Sequence, residues 1–116
     1  MAAVGVVLAE LVNLCPHEIR LLLEHGEVVV EPTGLARCRE EREPVGSLVT
    51  GAGDVPLVRC RYGEVVGLPD PAPGGLYIVS HLAAQHLPQR HDLLVPDHLV
   101  RNEVGVVIAA QALARL

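Results

Sequence analysis

Six polar residues along the chain have side chains that could bind an anion or move a proton. They are Asn13, His17, Ser80, Arg90, Asp92 and Arg101. His17, Ser80 and Asp92 are the residue types of an acyl-transfer triad, but Ser80 lacks the G-x-S-x-G turn that exposes a catalytic serine. Ser80 also stands where a helix N-cap is expected. The sequence therefore assigns no catalytic residue.

These six residues lie at or just beyond the ends of predicted strands, and two accounts of them stay open. In the first, they line one cleft in which Arg90 or Arg101 anchors an anion through a two-bond guanidinium contact. In the second, they form an internal hydrogen-bond network, in which Asp92 holds one of these arginines and Asn13 bonds to loop backbone.

A second candidate site consists of four arginines in two similar segments, residues 35–39 and 57–61. They are Arg37, Arg39, Arg59 and Arg61. Because side chains alternate along a strand, the arginines of each segment face together, while Cys38 and Cys60 face the other way and are expected to be buried. If the two strands pair, four guanidinium groups share one surface. That surface is either an anion site or a solvated face neutralised by the glutamates of residues 40–43.

Histidine and cysteine spacing predicts neither a metal site nor a cofactor. His81, His86 and His91 repeat every five residues, which rotates each side chain by about 140° from the last on a helix and scatters them. The cysteines are odd in number and lack the C-x-x-C spacing of zinc sites and redox motifs. They are Cys15, Cys38 and Cys60. Free thiols are typical of a reducing cytoplasm, where we expect the protein to reside.

Composition argues against two classes of partner. The chain has 116 residues, a net charge of −5 and no Phe or Trp, so it offers little to a phosphate backbone or to stacked bases. The apolar opening, residues 1–9, lacks a basic leader and is far shorter than the roughly 20 residues of a membrane helix. We therefore expect no nucleic acid and no membrane. A small anionic ligand, a protein partner and a homo-oligomer remain compatible with the sequence.

The spacing of apolar runs and turns predicts one compact α+β domain over residues 1–116. Its strands are short, six to eight in number and predominantly antiparallel, with one short helix over residues 81–87 that Ser80 caps. Residues 4–14 are rich in Val and Leu and predict the first strand. Alternation over residues 18–31 predicts a hairpin that turns at His25-Gly26.

Later segments predict shorter strands. Residues 76–79 are apolar throughout, which is typical of a strand buried on both faces. Residues 45–49 predict a separate short strand between the two arginine segments. Pro96 is expected to divide residues 93–101 into two strands, because proline has no N–H to give to a ladder. The core must consist of Leu, Val and Ala.

Several pieces of the sequence resemble a family of small uncharacterised proteins found in actinobacteria and their phages. The pieces are VNLCPHEI (12–19), EPTGLARC (31–38), YGEVVGLPDP (62–71), LYIVSHLAAQ (76–85) and DLLVPDHLVRNEVGVVIA (92–109). The resemblance covers nearly all the chain after Leu11 and leaves the first ten residues outside. It places Asn13, Pro16, His17, Ser80, Asp92, Pro96 and Arg101 at recurring positions. It implies no particular activity.

Three functions remain in consideration. The first is a non-enzymatic binding protein for a small anion such as a nucleotide, because a guanidinium group matches phosphate or carboxylate. The second is an interaction or accessory module for a protein partner, which an exposed aliphatic patch would signal. The third is a small hydrolase or lyase that uses His17, and it requires Asp92 within hydrogen-bond reach of that histidine.

Overall fold

The computed structural model describes residues 10–116, in which eight strands and one short helix form a single domain. The predicted strand-rich α+β class is confirmed. The part of the predicted first strand that precedes Glu10 lies outside the described residues. The elements are β1 Glu10–Asn13, β2 Ile19–Leu23, β3 Gly26–Val30, β4 Arg37–Thr50, β5 Gly53–Val66, β6 Gly75–Ile78, α1 His81–Gln85, β7 Leu93–Arg101 and β8 Val107–Ala114.

Six of the strands form one curled, mixed sheet in the order β1-β6-β7-β8-β2-β3. Antiparallel ladders contain most of the paired residues, but β1 with β6, β6 with β7 and β2 with β8 run parallel. The sheet curls so that its two edge strands, β1 and β3, meet. Just after β3 the Thr33 N–H donates to the carbonyl of Asn13 at the end of β1 over 3.0 Å. We call this six-stranded sheet, with α1, the body.

The body core is mainly aliphatic, and beyond the predicted Leu, Val and Ala it also contains isoleucines, Cys15, Cys38 and Tyr77. Ile78 and Val79 are fully buried, and they contribute to different core clusters because successive side chains leave opposite faces of the chain. One cluster lies beneath α1 and includes Ala83 and Ala84. The other joins Ile19 of β2 to the rest of the sheet. Residues 77–79 are all buried and Leu76 is half-buried, in agreement with the apolar run.

Helix α1 begins where the sequence predicts and ends sooner. The Ser80 hydroxyl accepts a hydrogen bond from the Ala83 N–H over 3.2 Å, which is the expected N-cap. The helix closes at Gln85, whereas the prediction extended it to residue 87. Among the described residues no helix is long and apolar enough to cross a membrane.

Two strand predictions are wrong in their boundaries. Pro96 does not divide residues 93–101 but lies inside a continuous β7. It is tolerated there because β6 pairs only with Leu93 and Leu94 of that strand. Past Leu94 this edge of β7 has no ladder with β6, so the missing proline N–H costs no bond there. The separate short strand predicted at residues 45–49 is instead the outer part of β4.

β4 and β5, fourteen residues each, form a two-stranded sheet of their own that we call the arm, residues 37–66. Its base packs against α1: the Cys38 thiol donates to the Leu82 carbonyl over 3.8 Å, and the rings of Tyr62 and His86 meet edge to face at 6.3 Å. From there the arm projects into solvent and contributes to a longest molecular dimension of 59 Å.

Candidate interaction surface

Asn13, the first of the predicted polar residues, is fully buried and has every hydrogen bond satisfied within the protein. Its amide nitrogen donates to the carbonyls of His17 and Val30, both over 2.8 Å. Its amide oxygen accepts from the Cys15 N–H over 2.8 Å. Asn13 therefore joins the end of β1 to the end of β3 and offers no atom to a ligand.

Arg90 and Asp92 form an ion pair just before β7. Both guanidinium–carboxylate hydrogen bonds measure 2.8 Å, and the side chains are only 15% and 14% exposed. Arg90 also donates to the Pro69 carbonyl over 3.0 Å, which fastens the loop between β5 and β6. The hydrogen bonds from Arg90 hold the pKa of Asp92 below its usual value, against the opposing effect of burial. Asp92 is thus paired with Arg90 and not with His17.

The remaining predicted residues do not join this pair in one cleft. Arg101 lies at the opposite end of β7 from Asp92, on the order of 30 Å away along the strand at 3.2–3.4 Å per residue, and it donates to the Gly105 carbonyl over 2.9 Å. Ser80 is engaged as the N-cap of α1. The single cleft is therefore not formed, and internal bonding of the kind described by the network account holds Asn13, Arg90 and Asp92.

His17 lies instead in an apolar groove of about 280 Å³ where β8 diverges from β2. We call it the β2–β8 groove. Residues that line it include His17, Ile19, Arg20, Leu99, Val107 and Ile108. The His17 ring contacts the Glu18 carbonyl through Nδ1 at 3.0 Å. Leu99, Val107 and Ile108 are exposed, which leaves the groove floor open to solvent.

The cysteines and histidines gather no metal site among residues 10–116. Cys15 and Cys38 are buried, and burial raises the pKa of each thiol. Cys60 is exposed on the arm, which corrects the prediction that it is buried like Cys38. The reason is that a two-stranded arm has no second layer: only its base, where Cys38 lies under Leu82, is covered.

The four arginines of the second candidate site lie on one face of the arm, because β4 and β5 pair. Register places Arg59 opposite Glu43 and Arg61 opposite Glu41, and Arg37 and Arg39 follow on the same face by alternation. Arg59 and Arg61 both contact one oxygen of Glu43, at 3.3 and 3.4 Å. Arg39 contacts Glu64 at 3.3 Å. Acidic neighbours thus accompany three of the four guanidinium groups.

The outer half of the arm, residues 44–58, carries the most unusual surface of the described chain. Six aliphatic side chains there are between 44% and 79% exposed. They are Val45, Leu48, Val49, Val55, Leu57 and Val58. Sequence reasoning missed this surface, although a signal was present: Asp54 is the only charged residue between Glu43 and Arg59.

The two faces of the arm differ in what they meet. One face carries Cys38 and Tyr62 and turns toward α1 at the base. The other, which we call the docking face, carries Leu48, Val55 and Leu57 in the outer half. Toward the base it carries Arg59 and Arg61 together with their register partners Glu43 and Glu41. Alternation along β5 makes it continuous from aliphatic to cationic.

Comparison with known proteins identifies no relative. The chain matches no protein-family model, and no curated protein or solved structure is significantly similar to it. The resemblance to actinobacterial and phage proteins therefore stays a prediction.

Proposed function

We propose that this protein is a non-enzymatic interaction module that binds another protein through its arm. One observation carries the proposal: every residue from Arg39 to Glu64 is exposed, and the outer half of that stretch is largely aliphatic. Monomeric proteins rarely expose contiguous apolar patches larger than a few hundred Å² unless a partner covers them. A two-stranded sheet is also only marginally stable alone in water, so a partner would stabilise the arm.

The faces of the arm, more than its edges, are suited to contact. Pro44 lies in β4 and Pro56 in β5, and neither can donate a hydrogen bond to an added strand. Proline at a strand edge is a common protection against strand addition. Side-chain packing on the docking face is therefore the mode of binding that we propose.

The charges of the arm favour a protein partner over a lipid surface. Residues 37–66 contain five arginines and five carboxylates, so no basic excess draws the arm toward anionic lipid. The outer half has no Trp or Tyr of the kind that anchors segments at a membrane interface, and Tyr62 lies at the base. Crosslinks to lipid alone in the photocrosslinking experiment would indicate membrane contact instead.

Site-specific photocrosslinking tests the proposal in the source cells. A photoreactive phenylalanine derivative replaces Leu48 on the docking face or, as control, Gln89 in the exposed turn after α1. We expect a discrete protein adduct from position 48 and none from position 89. Position 48 yielding only lipid adducts, or no adduct, would overturn the proposal.

Small-anion binding is the second candidate function, and the convergence of Arg59 and Arg61 on one Glu43 oxygen favours it. Two guanidinium groups that already hold a carboxylate are arranged to hold a phosphate in its place. Calorimetric titration with ATP should then show binding that Glu43→Gln strengthens and Arg59→Ala weakens. Absence of heat with both the wild type and Glu43→Gln would refute this candidate.

A further inference from the structure

We infer that the protein bound by the arm is a second copy of this chain, and that the docking face lies across the β2–β8 groove of that copy. This inference rests on the proposed function and names its partner. Two copies related by a two-fold axis would exchange arms, each giving one and receiving one.

Aliphatic surface is present on both sides of the proposed contact. Leu48 and Leu57 of the arm are exposed, and so are Leu99, Val107 and Ile108 of the groove. The arm of the same chain leaves this groove open, because its base is fixed to α1 and all of its outer residues are exposed. Docking between copies would cover both surfaces at once and remove their apolar area from water.

The distribution of net charge favours arm-to-body contact over body-to-body contact. The arm has five arginines and five carboxylates, whereas the rest of the chain has four arginines and nine carboxylates. The body therefore carries the whole net charge of −5, and two bodies repel each other, while a neutral arm meets no net repulsion.

The base half of the docking face keeps a positive excess, because its four arginines outnumber the neighbouring Glu41, Glu43 and Glu64, and it also has a matching surface. The β2–β3 hairpin, residues 18–30, borders the groove through Ile19 and Arg20 and contains Glu18, Glu24 and Glu27, all at least 45% exposed. Arg20 bonds Glu18 and Glu27, and three carboxylates against one guanidinium leave the hairpin a net charge of −2. When the aliphatic outer half of the arm occupies the groove, Arg59 and Arg61 can extend over this acidic hairpin. The order aliphatic then cationic along β5 thus corresponds to the order groove then hairpin on the body.

The area requires the exchange to be reciprocal. One face of a fourteen-residue hairpin measures roughly 46 Å by 10 Å, or about 450 Å², from the rise per residue and the strand spacing. A stable interface buries about 800 Å² per partner, so one arm alone falls short. Each copy that both gives and receives an arm contributes about 900 Å², which is the size of a stable interface.

Paired variants test this dimer by light scattering after size exclusion. Leu48→Asp disables the docking face, and Leu99→Asp disables the groove; Ile108→Asp replaces the latter if it loses the wild-type circular dichroism spectrum. Val49→Asp is the matched control, because Val49 is more exposed than Leu48 but points from the opposite face. We expect a wild-type dimer, a Val49→Asp dimer and monomers for the other variants.

Mixing the arm variant with the groove variant gives the sharper result. Only the mixture contains one intact arm facing one intact groove. That single contact buries about half of the reciprocal interface, so in sedimentation over a concentration series the mixture should associate more weakly than the wild type but more strongly than either variant alone. A monomeric wild type at micromolar concentration, or a mixture that associates no more than its two components, would overturn the inference. A discrete adduct with a different protein from position 48 would then leave the proposed function standing, whereas absence of any adduct would overturn both.

Discussion

The guanidinium of Arg90 and the carboxylate of Asp92 form a two-bond ion pair at the start of β7, with both nitrogen–oxygen distances at 2.8 Å. The same guanidinium reaches the Pro69 carbonyl and so fixes the loop that leads from β5 to β6. The pair therefore connects the start of β7 to the loop before β6, two parts of the chain that are distant in sequence.

Asp92→Asn should therefore destabilise the protein in a pH-dependent way. The pKa of Asp92 is lowered in the folded state by the Arg90 hydrogen bonds, so the stabilisation is present above the unfolded value near 3.8 and is lost as pH falls through the lower folded value. Urea unfolding should show a cost of about 1.5–3 kcal/mol at neutral pH, the usual range for charged hydrogen bonds. A cost that persists at pH values below the folded pKa would contradict this account.

Asn13→Ala should cost more than a matched change in an exposed turn. The substitution leaves the Cys15 N–H and the His17 and Val30 carbonyls without their partner in a buried region, which we expect to cost roughly 3–5 kcal/mol. Asn102→Ala is the control, because its side-chain amide likewise bonds to backbone, accepting from the Val104 and Val106 N–H groups, but is exposed, so water can replace it. Equal losses of unfolding free energy for the two variants in chemical denaturation would show that the buried hydrogen bonds of Asn13 contribute no more than exposed ones.

One of the three thiols should react quickly in the folded protein. Cys60 is exposed, and it lies on the face opposite the docking face, so dimerisation leaves it accessible. Cys15 and Cys38 are buried with raised pKa values and donate weakly to carbonyls. Ellman's reagent should label one thiol before unfolding and three after, and Cys60→Ser should abolish the early phase. Rapid labelling in that variant would contradict the burial of the other two.

Gly67→Ala should disturb the arm base, whereas Gly74→Ala should not. Both glycines have positive φ, at +88° and +76°, so both substitutions incur backbone strain of about 1–2 kcal/mol. Only at Gly67 would the new Cβ collide with a neighbour, the Leu35 carbonyl oxygen at 2.1 Å. Thermal unfolding should show a clearly larger loss for Gly67→Ala, and similar losses would argue against close packing at the arm base.

The β2–β3 hairpin could be predicted because its evidence is local. Ile19 and Leu21 alternate with polar residues and are buried. The turn itself lies at Glu24-His25, one residue before the predicted His25-Gly26, and Gly26 supplies the positive φ as the first residue of β3. Ser80 is likewise predictable as the N-cap of α1, because it lies between an apolar run and a helical pattern. Such patterns work wherever one face of an element is buried against the same chain.

The arm could not be delimited in this way because no face of its outer part is buried within the chain. The charged residues 40–43 separate the two strands predicted at 35–39 and 45–49. In the structure they are part of β4 and pair in register with β5. The parallel pairing of β1 with β6 also left no local trace, because it joins residues more than sixty positions apart. For the candidate site, sequence reasoning found the arginines of the docking face but not the aliphatic residues beyond them.

Shortening the arm tests the central claim most directly. Residues 44–58 are replaced by Asn-Gly, which joins the register partners Glu43 and Arg59 by a tight hairpin turn. Native mass spectrometry of the protein isolated from its source cells, with a melting curve of the same sample, should show the body folded within a few degrees of the wild type and the protein partner lost. A retained complex, or a body that no longer folds, would contradict the account of the arm as a docking element.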